Sequence, residues 1–280
     1  MSRVLANPRS DRIQAVRALT KRSVRARTGR FVVEGPQGVR EAVRHAPERV
    51  VDVYATVASA RRYADDIIEP ARAAGLYVHE ATDEVVAAMG DADSPQGVLA
   101  VVSDASPSLD EVLAAEPGLL VLLAHVRDPG NLGTVIRAAD AMGADAVLVS
   151  QSSVDVTSPK VVRSTAGSLF HLPIVRGLPV ESTLHRLRAA GIRSLAADGH
   201  GTRQLPDVDL TGAHCWVMGN EAWGLSEELR AACDAVVRVP IHGPAESLNL
   251  AMAATICLYA SADARHHGDT RDPTRGTDTA

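Results

Sequence analysis

Residues 118–126 read GLLVLLAHV, an apolar run in which no polar side chain appears before His125. A strand of that composition is buried on both faces, as in a parallel sheet covered by helices on each side. The text after it keeps the matching rhythm. NLGTVIRAADAMG reads as a helix starting at about Asn131 and closed by Gly143 at the C′ position. DAVLVS is the next strand. SPKVVRSTAGSLF is a helix with Ser158 at its N-cap and Pro159 at its first position. SLAADG, HCWVMGN and AVVRVPI are further strands.

Upstream, the short β-branched runs FVVEG, VVDVYAT, LYVHEAT and GVLAVVS alternate with the helical stretches EAVRHA, ARRYADDIIEPARAAG and DEVVAAMG. Such alternation predicts an α/β fold. DASPSLDEVLAAEPG (104–118) has the Pro, Ser and Asp of a linker around one short amphipathic helix. The chain is therefore read as a domain over 1–105, a linker over 106–117, a second domain over 118–264 and a polar tail over 265–280, expected to be disordered. Near the start, Ser10 reads as an N-cap, with Ile13, Val16 and Leu19 on one stripe of a helix that also carries Arg17, Lys21, Arg22 and Arg25. Arg27 and Arg30 follow in the turn before FVVEG. From Ser247, SLNLAMAATICLYASA is apolar nearly all round, which predicts a helix buried in a core or at a subunit interface.

Charge is distributed unevenly. The formal net charge is −5, yet residues 1–50 hold 12 of the 29 Lys and Arg and 4 of the 34 Asp and Glu, a net of +8 that leaves −13 for the remainder. A basic substrate-docking surface on an acidic body has this signature; so does a basic helix face that is merely solvated. Aromatics are 3% of the chain, so recognition of a nucleic acid must rest on charge, backbone and shape more than on base stacking. Cys215, Cys233 and Cys257 are widely spaced, with no CxxC and no neighbouring His cluster, so structural thiols in a reducing cytosol are expected and no metal site. MSRVLANPRS lacks an apolar core for a signal peptide, and the longest apolar stretch is too short for a bilayer. A soluble, cytoplasmic protein without membrane contact is expected.

Three loops carry chemistry. In VRDPGNLGTVIRAADAMGA a buried strand turns through Asp128-Pro129-Gly130 into a helix whose N-terminus attracts anions, and Arg137 follows on its first turns. In VMGNEAWGLSEEL a strand runs into Gly219-Asn220-Glu221, and small residues leave backbone groups open to a flat ligand. In VPIHGPAESLNLAMAA, Ser247 reads as the N-cap of the apolar helix, with Asn249 inside its first turn. None is a dinucleotide-binding glycine fingerprint or a P-loop. Each alone is an ordinary strand-to-helix turn.

Taken in order, DPGNLGTVIRAA, MGNEAWGLS and VPIHGPAESLNLAMAA resemble the three motifs of the SpoU (TrmH-type) RNA ribose methyltransferases of the SPOUT superfamily, and PKVVRSTAGSLFHLPI is similar to that family's connecting segment. The likeness spans about residues 118–262. NPRSDRIQAVRAL and RARTGRFVVEG resemble the L30e-like substrate-binding domain that often precedes the catalytic one. The resemblance implies a C-terminal trefoil-knotted α/β domain behind a smaller N-terminal α/β domain. It implies S-adenosylmethionine held by Gly219, Val239, Ile241 and Leu248, and Asn131, Arg137, Glu221, Ser247 and Asn249 around the reacting centre. Ala251 stands where many members carry Ser. The family mechanism puts the base at Arg137. Because arginine stays protonated, its expected work is to orient phosphate and stabilise the developing alkoxide. The resemblance further implies a homodimer packed through the knot region, and RNA phosphates bound by Arg22, Arg25, Arg27 and Arg30. The expected reaction is 2′-O-methylation of a ribose in RNA, with 23S rRNA favoured over tRNA. The alternatives are a tRNA methyltransferase, a non-catalytic RNA-binding or ribosome-assembly protein of the same fold, and another α/β nucleotide enzyme such as a dehydrogenase.

Overall fold

A computed structural model of the chain describes residues 4–268. It divides into two compact units, one of residues 1–106 with 155–171, the other of residues 107–154 with 172–280. The segment Asp155–His171, which lies inside the C-terminal domain in the linear reading, therefore packs with the N-terminal residues.

In the first unit the strands are β1 (Arg30–Glu34), β2 (Val50–Thr56), β3 (Val78–Ala81) and β4 (Val98–Ser103), in the order β1-β4-β2-β3. β4 runs antiparallel to both β1 and β2, and β2 runs parallel to β3. The expected stripe of Ile13, Val16 and Leu19 is buried against Tyr54, Met89 and Leu99. The basic helix is two helices, Asp11–Ala18 and Arg22–Thr28, because Leu19, Thr20 and Lys21 close with tight bonds to the carbonyls three residues back. Ser10 precedes the first without a side-chain cap bond.

The break has a cause in Arg25. Its side chain is 5% exposed and donates to the carbonyls of Leu19 and Thr20 at 2.9 and 2.7 Å, satisfying groups at the end of the preceding helix. It also donates to Thr157 Oγ1 at 3.2 Å and Asp155 Oδ2 at 2.7 Å. The Asp155 carboxyl is pushed up by burial, but hydrogen bonds from Arg25 and Thr157 outweigh this and hold it below the usual range. Arg25 is thus a structural cation, contrary to the expectation that it meets RNA; Arg22, Arg27 and Arg30 are exposed.

The helix expected over SPKVVRSTAGSLF stops at Ser164. Ala166 and Gly167 have φ of 50° and 101°, and a short 3-10 turn covers Ser168–Phe170. A Cβ on Gly167 would stand 2.7 Å from Glu41 Cβ, so this turn needs glycine.

The second unit holds β5 (Leu119–Leu123), β6 (Ala146–Ser150), β7 (Ile174–Leu178), β8 (Arg193–Ala197), β9 (Arg203–Gln204), β10 (His214–Met218) and β11 (Ala235–Arg238). They form a parallel sheet in the order β7-β6-β5-β10-β8-β11-β9. β5 is buried along its whole length, and so is its neighbour β10. Strands after β5 first step to one side; β8 then lies on the other side, and β10 fills the gap. Ligands bind outside the strand C-termini at such a reversal.

The last helix, Leu250–Gly268, packs on β10 and on helix Pro129–Ala141. Ala254, Cys257, Leu258 and Ser261 are buried, but Met252, Ile256 and Tyr259 are 61%, 39% and 59% exposed. The helix is therefore not covered on every side within one chain. Ser261 accepts from Trp216 Nε1 at 2.8 Å and meets His214 Nε2 at 2.7 Å, so a buried polar cluster fixes it on β10. Burial pushes the Cys233 and Cys257 thiols up to about 11 and about 12 and raises Cys215 further, as suits structural thiols. The helix carries residues 265–268 of the expected tail; residues 269–280 lie outside those described. No described helix is long and apolar enough to cross a membrane.

Candidate cofactor and substrate cleft

All the loops that matter leave the C-terminal ends of the parallel strands of the second unit. After β5 the chain takes a sharp turn at His125, which has φ of 58°. Its N–H donates to Ser150 Oγ at 2.8 Å, and its carbonyl accepts from Asn220 Nδ2 at 2.7 Å. These two bonds hold a conformation that a β-carbon disfavours. Asp128 then caps helix Pro129–Ala141, its Oδ1 accepting from the Asn131 N–H at 2.7 Å, so that helix starts at Pro129.

After β10, Asn220 and Gly224 exchange backbone bonds of 3.0 and 2.9 Å and close a tight loop. A Cβ on Gly219 would stand 2.6 Å from the Gly224 carbonyl oxygen, so no larger residue fits there. Asn220 is 6% exposed and also accepts from the Ala222 N–H at 2.8 Å. Glu221 projects from this loop to the previous one. One oxygen accepts from the Arg127 N–H at 3.2 Å; the other accepts from the Asp128 N–H at 3.0 Å and from Asn131 Nδ2 at 3.3 Å. Arg127 also lies 5.3 Å over the Trp223 ring, which is 59% exposed.

The third loop joins through an amide pair. Asn249 Nδ2 donates to Asn131 Oδ1 at 3.0 Å. Asn249 Oδ1 accepts from the Ala251 and Met252 N–H groups at 2.9 and 3.3 Å. Asn249 is therefore the cap of the last helix, the task expected of Ser247. That leaves Ser247 exposed on the cleft wall.

The cleft has a volume of about 530 Å³. Its wall includes Gly219, Glu221, Val239, Ile241, Ser247 and Leu248. At another part of the wall, Asp198 accepts from the His200 N–H and from Arg230 at 2.9 and 3.2 Å. Burial pushes the Asp198 carboxyl up, but those hydrogen bonds prevail and keep it below its ordinary range. Asn131 and Asn249 sit beside this wall through Glu221. Arg137 does not line the cleft. It is exposed on helix Pro129–Ala141, with no ion pair among the described residues. His125, Asn220 and the Asp198–Arg230 cluster escaped the reading of the sequence. Only Asn220, beside Gly219, stood in a motif that could have drawn attention to it.

The SpoU rRNA Methylase family matches residues 118–259, and an MRM3-like substrate binding domain matches residues 10–100. The chain belongs to the SpoU rRNA methylase family. It is 34% identical to the 23S rRNA (uridine(2479)-2′-O)-methyltransferase of Streptomyces viridochromogenes, over 95% of this chain and 99% of the relative. It is 32% identical to the 23S rRNA (guanosine-2′-O-)-methyltransferase RlmB of Bordetella pertussis, over 82% and 96%. Among solved structures, the AdoMet-bound rRNA methyltransferase from Sinorhizobium meliloti superposes with a TM-score of 0.81 at 30% identity, covering 95% of this chain and 98% of that one.

Proposed function

We propose that this chain transfers the methyl group of S-adenosylmethionine to a ribose 2′-hydroxyl of 23S rRNA. It is an S-adenosylmethionine-dependent RNA 2′-O-methyltransferase, like the relatives of which it covers nearly the whole length. One observation carries the reading: Glu221 and the Asn131–Asn249 pair tie three motif loops together beside one cleft.

The residues present fit the cofactor. Gly219 lets the loop close on the backbone of Gly224, and Val239, Ile241 and Leu248 offer apolar wall while backbone groups remain for polar edges. When bound, S-adenosylmethionine supplies a methyl group activated on a sulfonium. The protein has to orient the hydroxyl and its phosphates. Glu221 acts as a positioning residue, because both its oxygens already accept hydrogen bonds from the loop at Arg127–Asn131. Ser247 and the amide pair orient the ribose. Arg137, exposed on helix Pro129–Ala141 outside the cleft lining, binds a substrate phosphate through its guanidinium fork. The hydroxyl proton leaves to water or to a phosphate.

The second unit is read as a trefoil knot, a reading supported by the insertion of β10 between β5 and β8 and by the return of the last helix onto β10. A homodimer through that region would cover Met252, Ile256 and Tyr259. The first unit, read as L30e-like, binds RNA phosphates through exposed Arg22, Arg27 and Arg30, and the protein works in the cytoplasm, where its rRNA is. Calorimetry tests the cofactor. S-adenosylmethionine binds saturably, NAD does not, and Gly219→Ala abolishes the heat. Binding of NAD in its place would overturn the reading.

A further inference from the structure

A second cluster lies in the first unit, apart from the cleft residues. Helix Pro36–His45 carries Glu41 and His45 one turn apart, and His171 ends the segment Asp155–His171. Both imidazoles converge on one carboxylate oxygen: Glu41 Oε2 lies 3.3 Å from His45 Nε2 and 3.2 Å from His171 Nε2. We propose that Glu41, His45 and His171 form a binding site for a zinc ion, which no part of the methyl-transfer reading requires.

Several observations support this. Two imidazoles and a carboxylate are a borderline-soft donor set that suits zinc. With zinc–ligand bonds of about 2.0–2.1 Å, a tetrahedron has donor–donor edges of about 3.3 Å. The two edges to Glu41 Oε2, 3.3 and 3.2 Å, lie close to that value. All three donor atoms lie within 4.8 Å of one another. The rings meet edge to face, with centroids 4.5 Å apart and planes at 62°. The carboxylate is held from behind, since Gln37 Nε2 donates to its other oxygen at 3.4 Å. Glu41 is 13% exposed and packs under Gly167, where any side chain would collide with it. His45 and His171 are 50% and 25% exposed, which gives an ion a path in and water the fourth position. The ion would pin the end of Asp155–His171 to helix Pro36–His45, as Arg25–Asp155 pins its beginning.

The test is titration of metal-stripped full-length protein with zinc against a competing chelator, with cobalt as a spectroscopic substitute. One ion binds per chain, cobalt gives intense tetrahedral visible bands, and zinc raises the melting temperature. His45→Gln and His171→Gln each weaken binding by more than about tenfold, the scale set even by partners behind a ligand, while far-ultraviolet circular dichroism is unchanged. Absence of saturable binding by the wild-type chain, a pale octahedral cobalt spectrum, or equal affinity in the double variant would each overturn the site. The first two outcomes do not depend on any variant folding.

Discussion

Arg25 and Glu221 do similar work in the two units, and they leave different things over. Each is one charged side chain that gathers backbone and side-chain groups from distant parts of the sequence. Arg25 is buried, spends its donors on Leu19, Thr20, Thr157 and Asp155, and presents nothing to solvent. Glu221 is exposed at a cleft that Ser247 also lines, and it holds Arg127, Asp128 and Asn131 beside it. The first arrangement stabilises and the second positions. A single charged side chain therefore means different things in the two units.

Four variants separate these roles. Arg25→Ala has the largest effect on folding, since it leaves the Asp155 carboxylate buried without its cation; about 3–5 kcal/mol of stability is lost in denaturant titration, with cofactor affinity unchanged. A loss below about 1 kcal/mol would erase the distinction. Glu221→Gln turns one acceptor into an amide facing an N–H donor, loosens the loop at Arg127–Asn131 and slows methyl transfer by about 10- to 100-fold, the scale of a small misplacement of positioning groups. Its melting curve stays close to wild type. Asn249→Ala removes a helix cap and costs about 1 kcal/mol, seen as a modest fall in melting temperature. The smallest effect on folding belongs to the joint change of Arg22, Arg27 and Arg30 to Gln. Stability moves by less than about 0.5 kcal/mol, while the salt dependence of RNA affinity loses about one unit of slope per arginine.

Acid sharpens the same comparison. Asp155 has a folded-state pKa below its unfolded value, so its contribution is complete above the unfolded carboxyl range of about 4 and is lost as pH falls through the lower folded value. Stability of wild type should fall more steeply below about pH 4 than that of an Asp155→Asn variant.

The sheet and the loops were legible because strand burial and turn chemistry are local. Apolar text at Leu119–Leu123 could only be an inner strand, and Gly219 stood where a loop doubles back. What escaped the sequence depends on contacts across the chain. Arg25 reads as one more surface arginine until Asp155, 130 residues away, is beside it. Asn249 took the cap from Ser247 because the chain enters the helix two residues later than the pattern suggests. The backbone turn at His125 needs Asn220 and Ser150, neither adjacent in sequence. The strand Ile174–Leu178 ends in the irregular register of Ser150 against Leu178 and carries Gly177, so it lacks a clean β signature. The last helix is apolar all round, but sequence alone does not show that Met252, Ile256 and Tyr259 stay open in a single chain.

The central claim is chemical: the cleft serves methyl transfer to a ribose of 23S rRNA. Its most direct test incubates the purified chain with radiolabelled S-adenosylmethionine and unmodified 23S rRNA or total tRNA, followed by nucleoside mass spectrometry. The account predicts label in one 2′-O-methylnucleoside from 23S rRNA, lost in Glu221→Gln. Label on a base, label confined to tRNA, or no transfer to either RNA would contradict it.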